Sequence, residues 1–429
     1  MKKVLMITYY WPPAGGPGVQ RVLKFAKYLP QFGWQPVILT VQNGEYPAYD
    51  ESLFNDIPPE CKVYRTPSIE PFAIYKKFTG MKEDEAIPVA ALTEEKNNWK
   101  KKLAHWIRLN LFIPDAKIGW IPFAIRAGKH IIRNEKPDII FSSSPPPTVH
   151  LIAKSLARWS KIKWIADFRD PWTRIYHYDQ NRISPISNSI NNSLESSILC
   201  TANKVTVVSN GFFHGIEDSK LFVLPNGFDE NDIPEKQSDQ KNNIFTIRYM
   251  GSLKERQYVD VFFNILKDLS EESHYRGKIC FEIIGHVFES VKQKIMQKGI
   301  TGIQINFLGY LNHNKALELI SQSDLLLFII GKSSRAKLII TGKLFEYIMV
   351  NKPILAFGPL EGKADEIIRE TGTGKMFDYS DYNNVKDFIN IKFQKWKDTD
   401  NITTLNKKIE KYSRCNLTRK LISIFEVSS

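Results

Sequence analysis

Cysteine is scarce in this chain, and the four residues present, Cys61, Cys200, Cys280 and Cys415, stand far apart. With no CxxC pair and no histidine at ligand spacing, neither a zinc site nor a disulfide framework is signalled, and a reducing, cytoplasmic setting is expected. Long apolar runs are also missing. The longest, residues 325–330, is strand-sized and far below the roughly 20 residues of a membrane-spanning helix, so any membrane contact is expected to be peripheral. The opening apolar run is too short for a signal peptide and leads directly into a Gly/Pro turn. No GxGxxG or Walker loop is present, which excludes a nicotinamide or ATP site of those types. No G-x-S-x-G elbow points to a serine hydrolase. Acidic residues are outnumbered, 46 against 59 Lys and Arg, for a net charge of +13. Such a balance favours an anionic partner, either phosphorylated substrates or an anionic membrane surface. Nucleic acid is not expected as a partner, since no zinc finger, RRM signature or basic-region heptad accompanies the charge.

What is present is a chain of 429 residues, longer than one core usually supports, so two domains are expected. Residues 4–8, 36–41, 139–142, 163–166 and 204–208 read as strands and alternate with helical patterns such as 19–31 and 120–134, the signature of a parallel α/β sheet. A second series begins at Phe245 and continues through 279–284, 305–308, 325–330 and 354–357. The expected organisation is an N-terminal Rossmann-like domain over 1–225 and a polar linker over 226–244. A C-terminal Rossmann-like domain follows over 245–400. A helical tail over 401–429 offers Leu417, Leu421, Ile422 and Phe425 for packing back on the first domain.

Ligands of open α/β sheets collect beyond the carboxyl ends of strands, and the polar residues there are the site candidates. Gly15 and Gly16 lie in the first strand-to-helix turn, where backbone amides can approach a phosphate. Ser142, Ser143 and Ser144 end another strand and lead into a prolyl helix start. The next strand ends at Ile165-Ala-Asp-Phe-Arg-Asp-Pro-Trp172. There Asp167, Arg169 and Asp170, with Trp172, can bind acceptor hydroxyls, assist a proton transfer or steady phosphate charge. In the second half, Gly251 and Ser252 follow a strand, and Lys254 or Arg256 can reach a diphosphate. Gly285 ends a further strand on the same expected rim. The stretch Ile339-Ile-Thr-Gly-Lys-Leu-Phe-Glu-Tyr347 opens a helix with Thr341, Gly342 and Lys343, suited to a diphosphate by the helix dipole and free amides. Glu346 follows on that helix and can accept hydrogen bonds from a ribose.

Taken in order, Pro12-Pro-Ala-Gly-Gly-Pro-Gly18, Asp167-Phe-Arg-Asp-Pro-Trp172, Leu224-Pro-Asn-Gly-Phe-Asp229, Met250-Gly-Ser-Leu253 and Gly342-Lys-Leu-Phe-Glu-Tyr347 resemble the GT-B glycosyltransferases of the group 1, family 4 type. The resemblance spans nearly the whole chain. It implies two Rossmann-like domains facing each other across a cleft and a retaining transfer that requires no metal or cofactor. The acceptor side would lie on the N-terminal domain and a nucleoside-diphosphate sugar on the C-terminal one. By the same resemblance, Gly15 and Gly16 contact the donor phosphate and Glu346 holds the ribose. Two positions depart from the pattern. Arg169 stands where many relatives have His, and Leu338 where many have a second Glu that grips the donor sugar. Bacterial members commonly build surface polysaccharide such as O-antigen, capsule or exopolysaccharide on a lipid carrier. The acceptor is accordingly expected to be a glycan or a lipid-linked glycan.

Residues 99–112 carry Trp99, Leu103, Trp106 and Ile107 at helical spacing, with Lys100, Lys101, Lys102 and Arg108 alongside. Such a helix suits an anionic membrane surface. Two other readings share the fold: a nucleotide-sugar 2-epimerase, which would need acid/base carboxylates and histidines, and a non-catalytic sugar-nucleotide-binding protein.

Overall fold

Short apolar runs, buried on both faces in the central strands and half-buried at the edges, form two wholly parallel sheets in a computed structural model of the chain, which describes residues 1–46, 48–69, 106–173, 183–211, 213, 216–232, 242–398 and 406–427. The chain divides into two compact units, Met1–Pro225 with Leu417–Ser429, and Asn226–Asn416.

In the first unit, β1 (Lys2–Ile7), β2 (Trp34–Val41), β3 (Lys62–Thr66), β4 (Ile139–Ser144), β5 (Trp164–Phe168), β6 (Lys204–Val207) and β7 (Leu221–Val223) lie in the order β3-β2-β1-β4-β5-β6-β7. The order reverses between β1 and β4, where Ile7 pairs with Ser142 and opens a crevice at the carboxyl ends. Helix α1 (Pro17–Tyr28) buries Val19, Val22, Leu23 and Ala26, a 3.6-residue pattern. The sequence suggests a helix to residue 31, but the chain tightens into a 3-10 turn, Leu29–Phe32, closed by Gly33 at φ 78. Pro30 has no N–H for a continuing helix. Over the same face of the sheet lies helix Arg414–Val427, whose Leu417, Leu421, Ile422 and Phe425 join one apolar layer with Val4, Phe25 and Phe141. The Phe425 ring stands 5.1 Å from Trp34 and 6.1 Å from Phe141.

In the second unit, β8 (Phe245–Met250), β9 (Ile279–Ile284), β10 (Gln304–Gly309), β11 (Leu325–Ile329), β12 (Ile354–Phe357) and β13 (Gly374–Phe377) take the order β10-β9-β8-β11-β12-β13. Its reversal falls between β8 and β11. Residues 226–232 belong to this unit, with Phe228 buried in its core and paired with Ser413.

Candidate functional site

Beyond β8, Gly251 adopts φ 124 and donates its N–H to Ile284 O, while Gly285 adopts φ 128 and donates to Gly309 O, each at 2.7 Å. A Cβ on Gly285 would lie 2.6 Å from Gly251 O, and one on Gly251 would collide with the ammonium of Lys343. Glycine is therefore required twice, by backbone conformation and by space. Lys343 occupies the room that Gly251 leaves, with Nζ 5.3 Å from the Tyr249 ring centroid.

Lys343 is held there by the helix Gly342–Met349. Tyr347, fully buried one turn on, accepts the Met250 N–H at 2.7 Å and donates to Leu327 O at 3.2 Å, which fastens the helix to β8 and β11. At the other end Thr341 occupies the N-cap position without a capping side-chain bond. Its buried hydroxyl has no hydrogen-bond partner, and neither does that of Ser333 in the preceding loop. Two unsatisfied hydroxyls thus lie in the segment leading to a helix start whose first amides also lack intrahelical partners. Sequence patterns did not mark Ser333, because a lone serine in a loop carries no periodic signal.

Glu346 lies one turn after Lys343. Its carboxylate, 28% exposed, stands 3.9 Å from His313 Nδ1. Burial pushes its carboxyl above the usual range, against the pull of His313 and Lys343, and Asp232 adds to the rise. Burial also lowers the Lys343 ammonium to about 8, a shift opposed by Glu346 and reinforced by Lys254. Lys254 Nζ lies 5.4 Å from the Phe288 ring centroid, and Arg256 Cγ lies 3.0 Å from where a Cβ on Gly331 would stand. Ser252 is exposed and accepts the Tyr249 hydroxyl on its carbonyl. The second unit therefore gathers Gly251, Gly285, Lys343 and Glu346 at its switch point, with Lys254 close by. This arrangement can take a diphosphate on the cations and a diol on the carboxylate. Leu338 lies in the 3-10 turn Ala336–Leu338 and offers no polar group to a sugar.

In the first unit, Asp167 is wholly buried and faces inward. Its Oδ1 accepts from Arg21 Nη2 at 2.7 Å and Thr206 Oγ at 2.6 Å, and its Oδ2 from Arg21 Nε at 2.9 Å and Ser143 Oγ at 2.6 Å. Burial alone would raise this carboxyl; the Arg21 charge and the four donors outweigh it and hold the group below the usual range. The Asp167 carboxylate, expected from the sequence among the substrate-facing groups, is thus engaged by four protein donors. Ser143 is likewise committed to Asp167, and Ser144 is buried with its hydroxyl on Asp167 O at 3.5 Å. Trp172 is buried too, its indole N–H donating to Asn191 Oδ1 and its backbone N–H to Glu195. Arg169 and Asp170 remain at the surface, paired at 3.2 Å, with the carboxylate 51% exposed.

Gly16, at φ 81, caps α1, and a side chain there would meet nothing within 4 Å. Gly15 packs against Tyr49 and Asp50 and donates its N–H to Ala48 O. A Cβ on Gly18 would lie 3.3 Å from the Tyr10 ring and 3.6 Å from Arg169 Nη1, so Tyr10 and Arg169 converge at the start of α1. Of the basic segment 99–112, residues 99–105 lie outside the described residues; Trp106 and Leu111 are exposed. Among the described residues no group of His, Cys, Asp and Glu could hold a metal ion, and no helix is long and apolar enough to cross a membrane.

Two parallel sheets flanked by helices, each with a switch-point crevice, define the two-domain GT-B α/β fold. Residues 87–232, about a third of the chain, match the family described as Glycosyltransferase Family 4. No curated protein matches. Among solved structures, Anabaena HepE in complex with UDP-glucose is similar with a TM-score of 0.61 at 13% identity, each chain covered in full. A glycosyltransferase from Rickettsia africae gives 0.57 at 17%, covering 100% of this chain and 98% of the other. An enzyme of Listeria monocytogenes described as a UDP-N-acetylglucosamine 2-epimerase gives 0.54 at 12%, with 100% and 98% covered. At such identities the likeness is one of fold.

Proposed function

We propose that the chain is a retaining, metal-independent glycosyltransferase that moves a sugar from a nucleoside diphosphate to a glycan or lipid-linked acceptor in surface polysaccharide assembly. The observation that carries this reading is the Lys343–Glu346 pair at the start of one helix, with the Lys343 ammonium in the space left by Gly251. Glu346 holds the ribose, while Lys343, Lys254 and Arg256 neutralise the diphosphate as the glycosidic bond loosens. Electrostatic stabilisation of a leaving group of this kind requires no protein nucleophile. The unpartnered Thr341 hydroxyl is available to the donor in place of the carboxylate that Leu338 lacks. On the first unit, Arg169 and Asp170 serve the acceptor. The epimerase reading is less well supported, since Asp167 is committed to Arg21 and His150 is wholly buried.

The test is a calorimetric titration of Glu346→Gln with UDP and other nucleoside diphosphates. Affinity should fall by roughly 1.5–3 kcal/mol, the range of a hydrogen bond to a charged group, with the melting temperature retained. Unchanged affinity would remove Glu346 from the site. Transfer should also persist in EDTA, and recovery of a chelated, inactive enzyme on adding magnesium would overturn the metal-independent reading.

A further inference from the structure

Helices Ile121–Glu135 and Thr148–Ser160 lie side by side on the first sheet, in contact where a Cβ on Gly128 would run into Leu156. They carry Lys129, Arg133, Lys154 and Arg158, and among the described residues none of these cations has a carboxylate partner. The neighbouring acids are engaged elsewhere. Glu135 accepts from Lys3, Lys62 and Tyr64, Asp115 caps Thr148, and Glu195 holds Trp172 and Thr173. Lys154 and Arg158 stand at i,i+4, where like charges destabilise a helix. Lys154 is fixed by donating to Ser197 Oγ, and burial followed by the Arg158 charge draws its ammonium below the usual value. Trp159, 40% exposed, has Lys129 Nζ at 5.5 Å and Arg133 Cζ at 5.3 Å from its ring centroid. Leu151, Lys154, Ser155, Arg158 and Trp159 line a shallow, open groove of about 470 Å³ along helix Thr148–Ser160.

We infer that this groove binds an acidic glycan, a chain whose sugars bear carboxylates, with Arg158 and Lys154 on the acid groups and Trp159 against a sugar face. A planar guanidinium suits a carboxylate by its paired donors, and the Ser155 hydroxyl can serve a sugar hydroxyl. Single-stranded nucleic acid calls for several aromatic faces in succession, whereas Trp159 is the one exposed Trp, Tyr or Phe on these two helices. Lipid headgroups favour a row of exposed apolar side chains projecting into the interface, and Trp159 is the one large apolar side chain exposed on these two helices. The inference stands independently of the transferase reading.

The full chain should bind oligogalacturonate with an affinity that falls as salt is added, and should not bind dextran of equal length. Lys154→Gln with Arg158→Gln should raise Kd at least about tenfold, as expected for lost charge-assisted bonds, while UDP affinity and melting temperature stay at wild-type values. Arg158→Lys, which keeps the charge but loses the fork, should weaken binding by itself and serves if the double variant does not fold. Equal affinity for dextran, unchanged oligogalacturonate binding in both variants, or tighter binding through the same cations to oligothymidylate or phosphatidylglycerol vesicles would each overturn the inference.

Discussion

Arg21 and Asp167 are both essentially unexposed, and each is satisfied by the other and by main-chain or hydroxyl groups, with Arg21 also donating to Leu224 O and Pro225 O. Breaking one side leaves a buried charge. Arg21→Met should destabilise the protein by about 3–5 kcal/mol in urea unfolding, and adding Asp167→Leu should restore much of this. Because folding depresses the Asp167 pKa, its stabilising contribution is complete above the ordinary value of 3.8 and is lost as the pH falls through the folded value. Lys343 works in the opposite range. With its ammonium lowered to about 8, UDP affinity should decline as the pH rises from 7 to 9, since the neutral amine no longer attracts the diphosphate. Lys343→Arg should flatten that dependence, because guanidinium does not titrate there. A calorimetric pH series on both proteins checks it.

At the scale of elements, Gly251→Ala combines a strained φ with a collision at Lys343. It should weaken nucleoside diphosphate binding more than Gly342→Ala, whose Cβ meets nothing within 4 Å; parallel titrations compare the two. Such glycines are legible in a sequence because they punctuate the end of an apolar strand. The central strands were legible from their apolar runs, Val4–Ile7 in β1, Ile139–Phe141 in β4 and the whole of β11, with β9 broken only by Glu282. β3 and β7 were not, since Lys62–Thr66 mixes charge with half-buried residues and Leu221–Val223 is a three-residue edge. β13, at Gly374–Phe377, opens on a glycine and a lysine. The candidate site shows a similar divide. Gly251, Lys343 and Glu346 announce themselves as polar interruptions of apolar patterns. The inward turn of Asp167 does not, because its partners Arg21 and Thr206 are distant in sequence and look like ordinary surface residues until the sheet aligns them.

At the scale of the molecule, the first unit is discontinuous: residues beyond 416 supply part of its apolar layer. Leu417, Leu421 and Phe425 are each almost entirely buried, and burying such side chains contributes about 1.5–3 kcal/mol apiece. A chain ending at Asn416 should therefore lose most of the first unit's stability while the second keeps its own melting transition, as calorimetry with limited proteolysis would show. The same arrangement has a consequence for biosynthesis. The amino-terminal half leaves the ribosome long before the segment that covers Trp34 and Phe141 has been translated, so this surface must wait uncovered, or be shielded by a chaperone, until Leu417–Phe425 have been made.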